Sequence, residues 1–558
     1  MNERSRAPAT AELSQPKFWR KSYPLSTPLE IDLAQLPTLK ALCELACARY
    51  GDSPAFVEGD RSLTFKELEI LSRSFGAWLH SVGLRKGDRV ALMLPNALEY
   101  PIALFGALRA GMVVVNLNPL YTQPEVEQLL CDSASVVLVT LVAGRHAADA
   151  YAIQRVLRYV VAIGSADIAP DFRTKSTENA CCHIAWREVV QPSSGTTLNG
   201  DLVEPNDLAF IQYTGGTTAS PKGVMLTHRN VCANILQSVA WIHAYTGAQR
   251  TLATLLPLYH IFALEGSLLL FTHLGWRNVL VADARHLPAV VAELARYRIS
   301  LISGVNTLFR GLLNTPAFDA GDFSQLEITL SGGMAADPAV ARRWQEVTGC
   351  HLTQAWGLTE TSPAACINPP GLPFNGSVGL PIPSTEIAIK DETGRDLPIG
   401  EVGEICVRGP QVMSGYWRRR EETVRALWPD GWLRTGDAGR FDEKGFVYLV
   451  ERIKDVIVVS GFKVYPQEVE AVAARYPGVI EAAATAQFDA ESGECVALFV
   501  VCADAAIREA DLVRHCRHSL APYKVPKHIF FRTELPKSAV GKTLRKVLRE
   551  ELSKPLVE

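Results

Sequence analysis

The segment Tyr213-Thr-Gly-Gly-Thr-Thr-Ala-Ser-Pro-Lys-Gly223 gathers two adjacent glycines, three threonines, a serine and a lysine into one loop. It follows the apolar run Leu208-Ala-Phe-Ile-Gln-Tyr213. Adjacent glycines let successive backbone N–H groups point the same way, and the hydroxyls and lysine ring the same concavity. An ordinary turn needs far fewer donors, so the composition suits a polyphosphate. The segment lacks the spacing of a P-loop, which requires glycine, four residues and then Gly-Lys-Ser/Thr; here Lys222 follows a proline and precedes a glycine. A kinase-like or GTPase-like reading therefore loses its main support. A second glycine-flanked lysine, Lys542 in Lys537-Ser-Ala-Val-Gly-Lys542, stands near the far end of the chain.

The elements that must position these residues follow from periodicity. Short runs that are apolar throughout, among them Val90-Ala-Leu-Met-Leu94, Met112-Val-Val-Val-Asn116 and Val136-Val-Leu-Val-Thr140, alternate with helix-like segments such as 97–110 and 287–297. That pattern predicts parallel strands covered on both faces, a doubly wound α/β architecture. From about 384 to 450 turn signals such as Asp391-Glu-Thr-Gly394 and Pro429-Asp-Gly431 predict a β-rich part of the same N-terminal domain, 1–453. Residues 454–558 read as a small α+β domain: a strand at 456–464, a helix from Pro466, strands near 481–487 and 495–501, and helices near 506–519 and 541–551.

At 558 residues the chain needs more than one core, since single cores stop growing near ~250–300 residues. With 48% hydrophobic and 21% charged residues it reads as an ordinary globular protein, and a net charge of −3 gives no case for nucleic acid. Met1-Asn-Glu-Arg-Ser-Arg leads into no apolar segment and no run spans a bilayer, which predicts a cytoplasmic protein. The twelve scattered cysteines, with no Cys-x-x-Cys, read as reduced small hydrophobes. Ten Lys/Arg against one acid between Arg514 and Arg549 read either as a solvated face or as attraction for phosphates.

Six segments in order resemble the adenylate-forming superfamily: the Tyr213–Gly223 loop, Leu256-Pro-Leu-Tyr-His260, Gln354-Ala-Trp-Gly-Leu-Thr-Glu360, Gly431-Trp-Leu-Arg-Thr-Gly-Asp437, Arg452-Ile-Lys-Asp455 with Val459-Ser-Gly-Phe-Lys-Val-Tyr-Pro466, and Pro536-Lys-Ser-Ala-Val-Gly-Lys542. The resemblance spans roughly 40–552. Local wording, such as Leu226-Thr-His-Arg-Asn230 and Gly409-Pro-Gln-Val-Met413, is similar to the bacterial long-chain-fatty-acid–CoA ligase branch.

The resemblance implies a two-step reaction. A fatty carboxylate attacks the α-phosphorus of ATP to give acyl-adenylate and pyrophosphate, and CoA then gives acyl-CoA and AMP. Both partners of the first step are anions, so catalysis rests on positioning and positive charge. Carried over residue by residue, Lys542 is the catalytic lysine, with Thr218 and Glu360 beside it. Thr214, Gly215, Gly216, Thr217, Thr218, Lys222 and Thr359 contact phosphates, and Glu360 holds Mg2+. Asp437 takes the ribose hydroxyls, Arg452 reaches ribose or phosphate, and Trp356 with Gly332 and Gly333 frames the adenine. His260 and Gly357 face the acyl carboxylate; acetate-activating relatives close that pocket with a tryptophan at the position of Gly357, so glycine implies medium or long chains. Lys454 is the hinge of a mobile C-terminal lid, and Ser460-Gly461 serves the CoA tunnel.

Three departures stand out: Ala219 where the family has glycine, Trp356 for tyrosine, and Ala355 for glycine. Two rival readings are a fatty-acyl-AMP ligase loading a carrier protein and a non-catalytic acyl- or nucleotide-binding protein. The second predicts loss of Lys542, Glu360 or Asp437, and all three are present. Peripheral attachment to the inner face of the membrane and a homodimer are compatible with the leading reading.

Overall fold

The computed structural model describes residues 17–141, 157–164, 181–191, 198, 203–214, 221–247, 249–460, 462–489, 492–503, 507–538 and 541–553. Among these, two large sheets carry the N-terminal part. The first runs in the order 415–416, 222–227, 208–214, 113–116, 89–93, 135–141, 159–163, 182–185. Its strands from 208–214 onward are parallel, in keeping with their largely apolar sequences. The second sheet is parallel from Pro54–Glu58 through Arg277–Leu280, Thr251–Thr254, Leu301–Gly304 and Ile328–Ser331 to Leu352–Gly357, with antiparallel strands at its edges. The fold is α/β as expected, but both sheets are mixed rather than wholly parallel.

Helices between the sheets build the main core. Leu39–Tyr50, Phe65–Ser81 and Glu99–Arg109 pack on one another. Helix Phe65–Ser81 starts at a capping box, with Thr64 Oγ1 accepting from the Glu67 N–H at 3.2 Å and Glu67 Oε2 accepting from the Thr64 N–H at 2.8 Å. It crosses Glu99–Arg109 where both helices carry glycine: a Cβ on Gly76 would lie 2.8 Å from the Gly106 carbonyl oxygen. The close crossing buries Phe75 and Phe105 completely, each worth about 1.5–3 kcal/mol. Arg109, which interrupts an apolar stretch in sequence, is 1% exposed and answered by Glu69, whose two oxygens lie 2.6 and 2.8 Å from its guanidinium. Cys43 and Cys47 lie one helical turn apart against that pair, their sulfurs 4.0 Å from each other.

The β-rich part is an antiparallel sheet of Glu386–Lys390, Gly403–Arg408, Leu433–Phe441 and Val447–Arg452. The turn signals predict this sheet but not the helix Arg420–Ala426 inside it, nor the two-residue strand Gly415–Tyr416, which pairs with Lys222–Thr227 of the first large sheet. After the turn Ile453–Asp455 comes a separate sheet of Phe462–Val464, Ile457–Val459, Gly493–Cys502, Val479–Asp489 and His528–Arg532. The single strand expected at 456–464 is a hairpin, because the backbone turns at Ser460 (φ +49°). The last helix starts at Arg545, not at Gly541. Strand His528–Arg532 is an addition to the sequence reading.

The basic strip of this part is largely paired. Lys524 meets Glu468, Lys537 meets Glu481, Arg532 meets Glu551 and Arg545 meets Glu470. Much of the strip is thus a partly exposed face of ion pairs, whereas Lys542 is turned toward the N-terminal part. Among the described residues no helix is long and apolar enough to cross a membrane.

Candidate active site

The glycine- and threonine-rich loop joins two antiparallel strands, Leu208–Thr214 and Lys222–Thr227, with Thr214 opposite Lys222. Gly215, Gly216, Thr217, Thr218 and Ala219 lie outside the described residues. The two ends of the loop are well defined. The following helix, His228–Trp241, is fixed by a cap in which Thr227 Oγ1 accepts from the Asn230 N–H at 3.1 Å and Asn230 Oδ1 accepts from the Thr227 N–H at 3.0 Å. Lys222 Nζ sits 2.6 Å from Glu422 Oε2 and 5.0 Å from the centre of the Tyr416 ring. The Tyr416 hydroxyl in turn donates to Glu360 Oε1 at 2.8 Å. Loop lysine and acid, 138 positions apart in the chain, are thus joined through one tyrosine. No local sequence pattern singles out Tyr416, which reaches this place only because Gly415-Tyr416 pairs with strand Lys222–Thr227.

Thr359 and Glu360 form the short turn Thr359–Thr361 directly after strand Leu352–Gly357. Trp356 on that strand donates its indole N–H to Asp437 Oδ2 at 3.0 Å. Asp437 is 6% exposed, and its other oxygen lies 2.6 Å from Arg452 Nε. The pairing is dictated by the sheet, where Asp437 and Arg452 are direct partners on adjacent strands. Gly357 has its own structural reason to be glycine, since a Cβ there would overlap the Pro363 carbonyl oxygen.

Lys542 arrives from the C-terminal part. Its loop is closed on itself by Ser538, whose N–H donates to the Lys542 carbonyl at 2.7 Å and whose Oγ accepts from the Lys542 N–H at 3.2 Å. A Cβ built on Gly333, which holds φ +76°, would lie 3.9 Å from Lys542 Cε. Gly332 beside it carries the Phe262 ring. Burial, then the nearby cation Arg452, depresses the Lys542 ammonium to about 8; Asp437 opposes this and Lys454 adds to it. His260 caps the turn that starts at Ile261 by accepting from the Phe262 N–H at 3.3 Å, and burial together with Lys542 pushes its imidazole down to about 4. At neutral pH it is an uncharged ring.

The structure therefore gathers Gly332, Gly333, Trp356, Asp437, Arg452, Lys454, Lys542 and His260 at one place, with Lys222, Tyr416 and Glu360 forming a linked group. Lys222 and Arg452 are paired with Glu422 and Asp437, while Lys542, buried and close to Gly333, brings a further cation to the group. Ser460 is exposed and bonds within its own part, its N–H donating to the Ser492 carbonyl at 2.8 Å; Gly461 lies outside the described residues.

Two large mixed sheets with a separate C-terminal sheet, from which a lysine reaches the N-terminal part, make the fold of an adenylate-forming protein. The chain belongs to the AMP-binding enzyme family: residues 43–417 match that family and residues 468–542 match its C-terminal domain. It is 45% identical over 551 residues to the long-chain-fatty-acid–CoA ligase of Yersinia pestis, covering 96% of this chain and 98% of that one. The ligase of the same name from Escherichia coli O6:H1 is 44% identical over 555 residues, with the same coverage. A solved anthranilate CoA ligase in complex with anthranoyl-AMP superposes with a TM-score of 0.82 at 25% identity, covering 94% of this chain and 99% of that one.

Proposed function

We propose that the protein is an ATP-dependent fatty-acid–CoA ligase acting on medium- to long-chain acids. The observation that carries this is Lys542: an ammonium from the C-terminal part stands beside Gly333, Asp437 and Arg452 of the N-terminal part. A fatty carboxylate attacks the α-phosphorus of ATP, the α–β phosphoanhydride bond breaks, and pyrophosphate leaves. Lys542 meets the charge that develops. Thr214, Gly215, Gly216, Thr217, Thr218, Lys222 and Thr359 hold the phosphates, with Thr218 beside the reacting phosphorus. Asp437 orients the ribose with its remaining lone pairs, Arg452 guides ribose or phosphate, and Trp356, Gly332 and Gly333 frame the adenine. His260, neutral at physiological pH, lines the carboxylate end of the acyl site next to Gly357.

Glu360 fits a role in holding Mg2+. Tyr416 occupies its Oε1, and its Oε2 has no partner among the described residues, leaving a hard oxygen donor for an ion shared with phosphate. Bound there, the ion would neutralise charge on the departing pyrophosphate.

In the second step the CoA thiol attacks the acyl carbonyl and AMP leaves. The C-terminal part turns about Lys454, withdrawing Lys542 and bringing Ser460-Gly461 to the site. The exposed hairpin turn at Ser460 suits that use. Attachment to the membrane surface and a homodimer belong to the same reading, since the substrate partitions into lipid; vesicle co-sedimentation and light scattering test them.

Pyrophosphate release and thioester formation with acids from acetate to stearate, with and without CoA, test the proposal. Turnover rising with chain length and thioester made from free CoA support it. No turnover with any fatty acid overturns the substrate class, and adenylate without thioester favours a carrier-protein acceptor.

A further inference from the structure

The joint between the two parts is spanned by a carboxylate whose position has a consequence for Lys542. Glu451 is the penultimate residue of strand Val447–Arg452, three residues before Lys454, and is 3% exposed. Its strand partner is Ala438, next to Asp437. Glu451 Oε1 accepts from the Arg452 N–H at 2.9 Å and lies 3.5 Å from Arg545 Nη1. Its Oε2 accepts from the Gln467 N–H at 3.1 Å, at the start of helix Pro466–Ala473. One buried side chain on the near side of the joint thus grips two helices on the far side.

Arg545 is the first residue of the last helix, three residues after Lys542. It has three acidic partners. Glu470 contacts it through both oxygens at 2.9 Å and Asp455 lies 3.9 Å away, and both follow Lys454 in the chain. Only Glu451 precedes it. If the C-terminal part turns about Lys454, the Arg545–Glu470 and Arg545–Asp455 pairs travel with it, whereas both distal contacts of Glu451 must break. Burial pushes the Glu451 carboxyl upward, opposed by Arg545, so the group depends on these partners for its charge.

Resting on the ligase reading above, we infer that Glu451 is a positioning residue that clasps the C-terminal part in the pose that delivers Lys542, acting through Arg545 and the Gln467 N–H. It touches neither substrate nor reacting atoms. Its loss slows the lysine-dependent first step and spares the second, which needs no lysine at the phosphates.

Full-length wild type, Glu451→Ala and the near-isosteric Glu451→Gln are compared in two assays: fatty-acid-dependent ATP–pyrophosphate exchange, and thioester formation from pre-made acyl-adenylate and CoA. The expected result is a fall in exchange kcat of about tenfold in Glu451→Ala and less in Glu451→Gln, with the KM for ATP unchanged. Thioester formation stays equal to wild type or rises. Equal loss in both assays, as a merely structural role would give, overturns the inference, and so does no loss in either. If Glu451→Ala does not fold, the same split or its absence in Glu451→Gln decides. Wild type that shows no exchange with any fatty acid overturns both this inference and the function it rests on.

Discussion

Trp356 and Asp437 are joined by a hydrogen bond of 3.0 Å from indole N–H to carboxylate, while Arg452 holds the opposite oxygen at 2.6 Å. The acid proposed to take the ribose is thus oriented before any nucleotide arrives, by a residue that departs from the tyrosine of similar sequences. A hydrogen bond to a charged, buried acceptor contributes about 1.5–3 kcal/mol. Trp356→Phe removes it while keeping an aromatic face. The expected outcome is a rise in the KM for ATP of roughly tenfold with a smaller change in kcat, measured by initial-rate kinetics. A change confined to fatty-acid KM would contradict the assignment.

Glu360 and Tyr416 give a prediction about metal demand. Glu360→Gln keeps the shape and removes the charge. The Mg2+ concentration for half-maximal adenylation is expected to rise about tenfold or more, whereas Tyr416→Phe, which only frees one oxygen, shifts it far less. Titration of Mg2+ at saturating ATP measures both.

The pH dependence of the first step follows from Lys542. Its ammonium is depressed from the usual 10.5 to about 8 in the free enzyme. The protonated form is the one that stabilises phosphate charge, so kcat/KM for ATP is expected to be full below that value and lost as pH rises through it. Lys542→Arg, whose guanidinium stays charged, lowers the rate but removes the alkaline fall between pH 8 and about 10. A profile unchanged by this substitution would count against Lys542 as the titrating group.

Gly106 tests the helix crossing. In an exposed helix Gly→Ala stabilises by about 1 kcal/mol. Here the added methyl would meet the Ser72 carbonyl oxygen and Phe75 Cδ1, each at 2.8 Å. Gly106→Ala is therefore expected to destabilise by about 1–3 kcal/mol, read by chemical denaturation.

Parts of this molecule were legible in the sequence because the signal was local. Leu208–Thr214 is mostly apolar and lies inside a sheet, and Pro466 marks the start of its helix by its fixed φ. Lys222, Glu360, Asp437 and Lys542 were nameable from motif wording, and the structure places Asp437, Lys542 and Arg452 together. What eluded the sequence depends on contacts between distant segments. Tyr416 is one aromatic among many until its strand pairs beside Lys222. Glu451 and Arg545 are ordinary surface letters until the joint folds and buries the acid. The hairpin at Ser460 was hidden because its two strands read as one apolar run, and Gly357 is required by the Pro363 backbone as well as by any acyl channel.

Lys542, which comes from the C-terminal part, is the residue proposed to drive acyl-adenylate formation. Fatty-acid-dependent pyrophosphate release by Lys542→Ala tests it most directly. One lysine at ~4 Å from developing charge, at an effective dielectric near 20, contributes about 4 kcal/mol, so release is expected to fall roughly a thousandfold, while the thioester step from supplied acyl-adenylate persists. Pyrophosphate release at the wild-type rate in that variant would contradict the account.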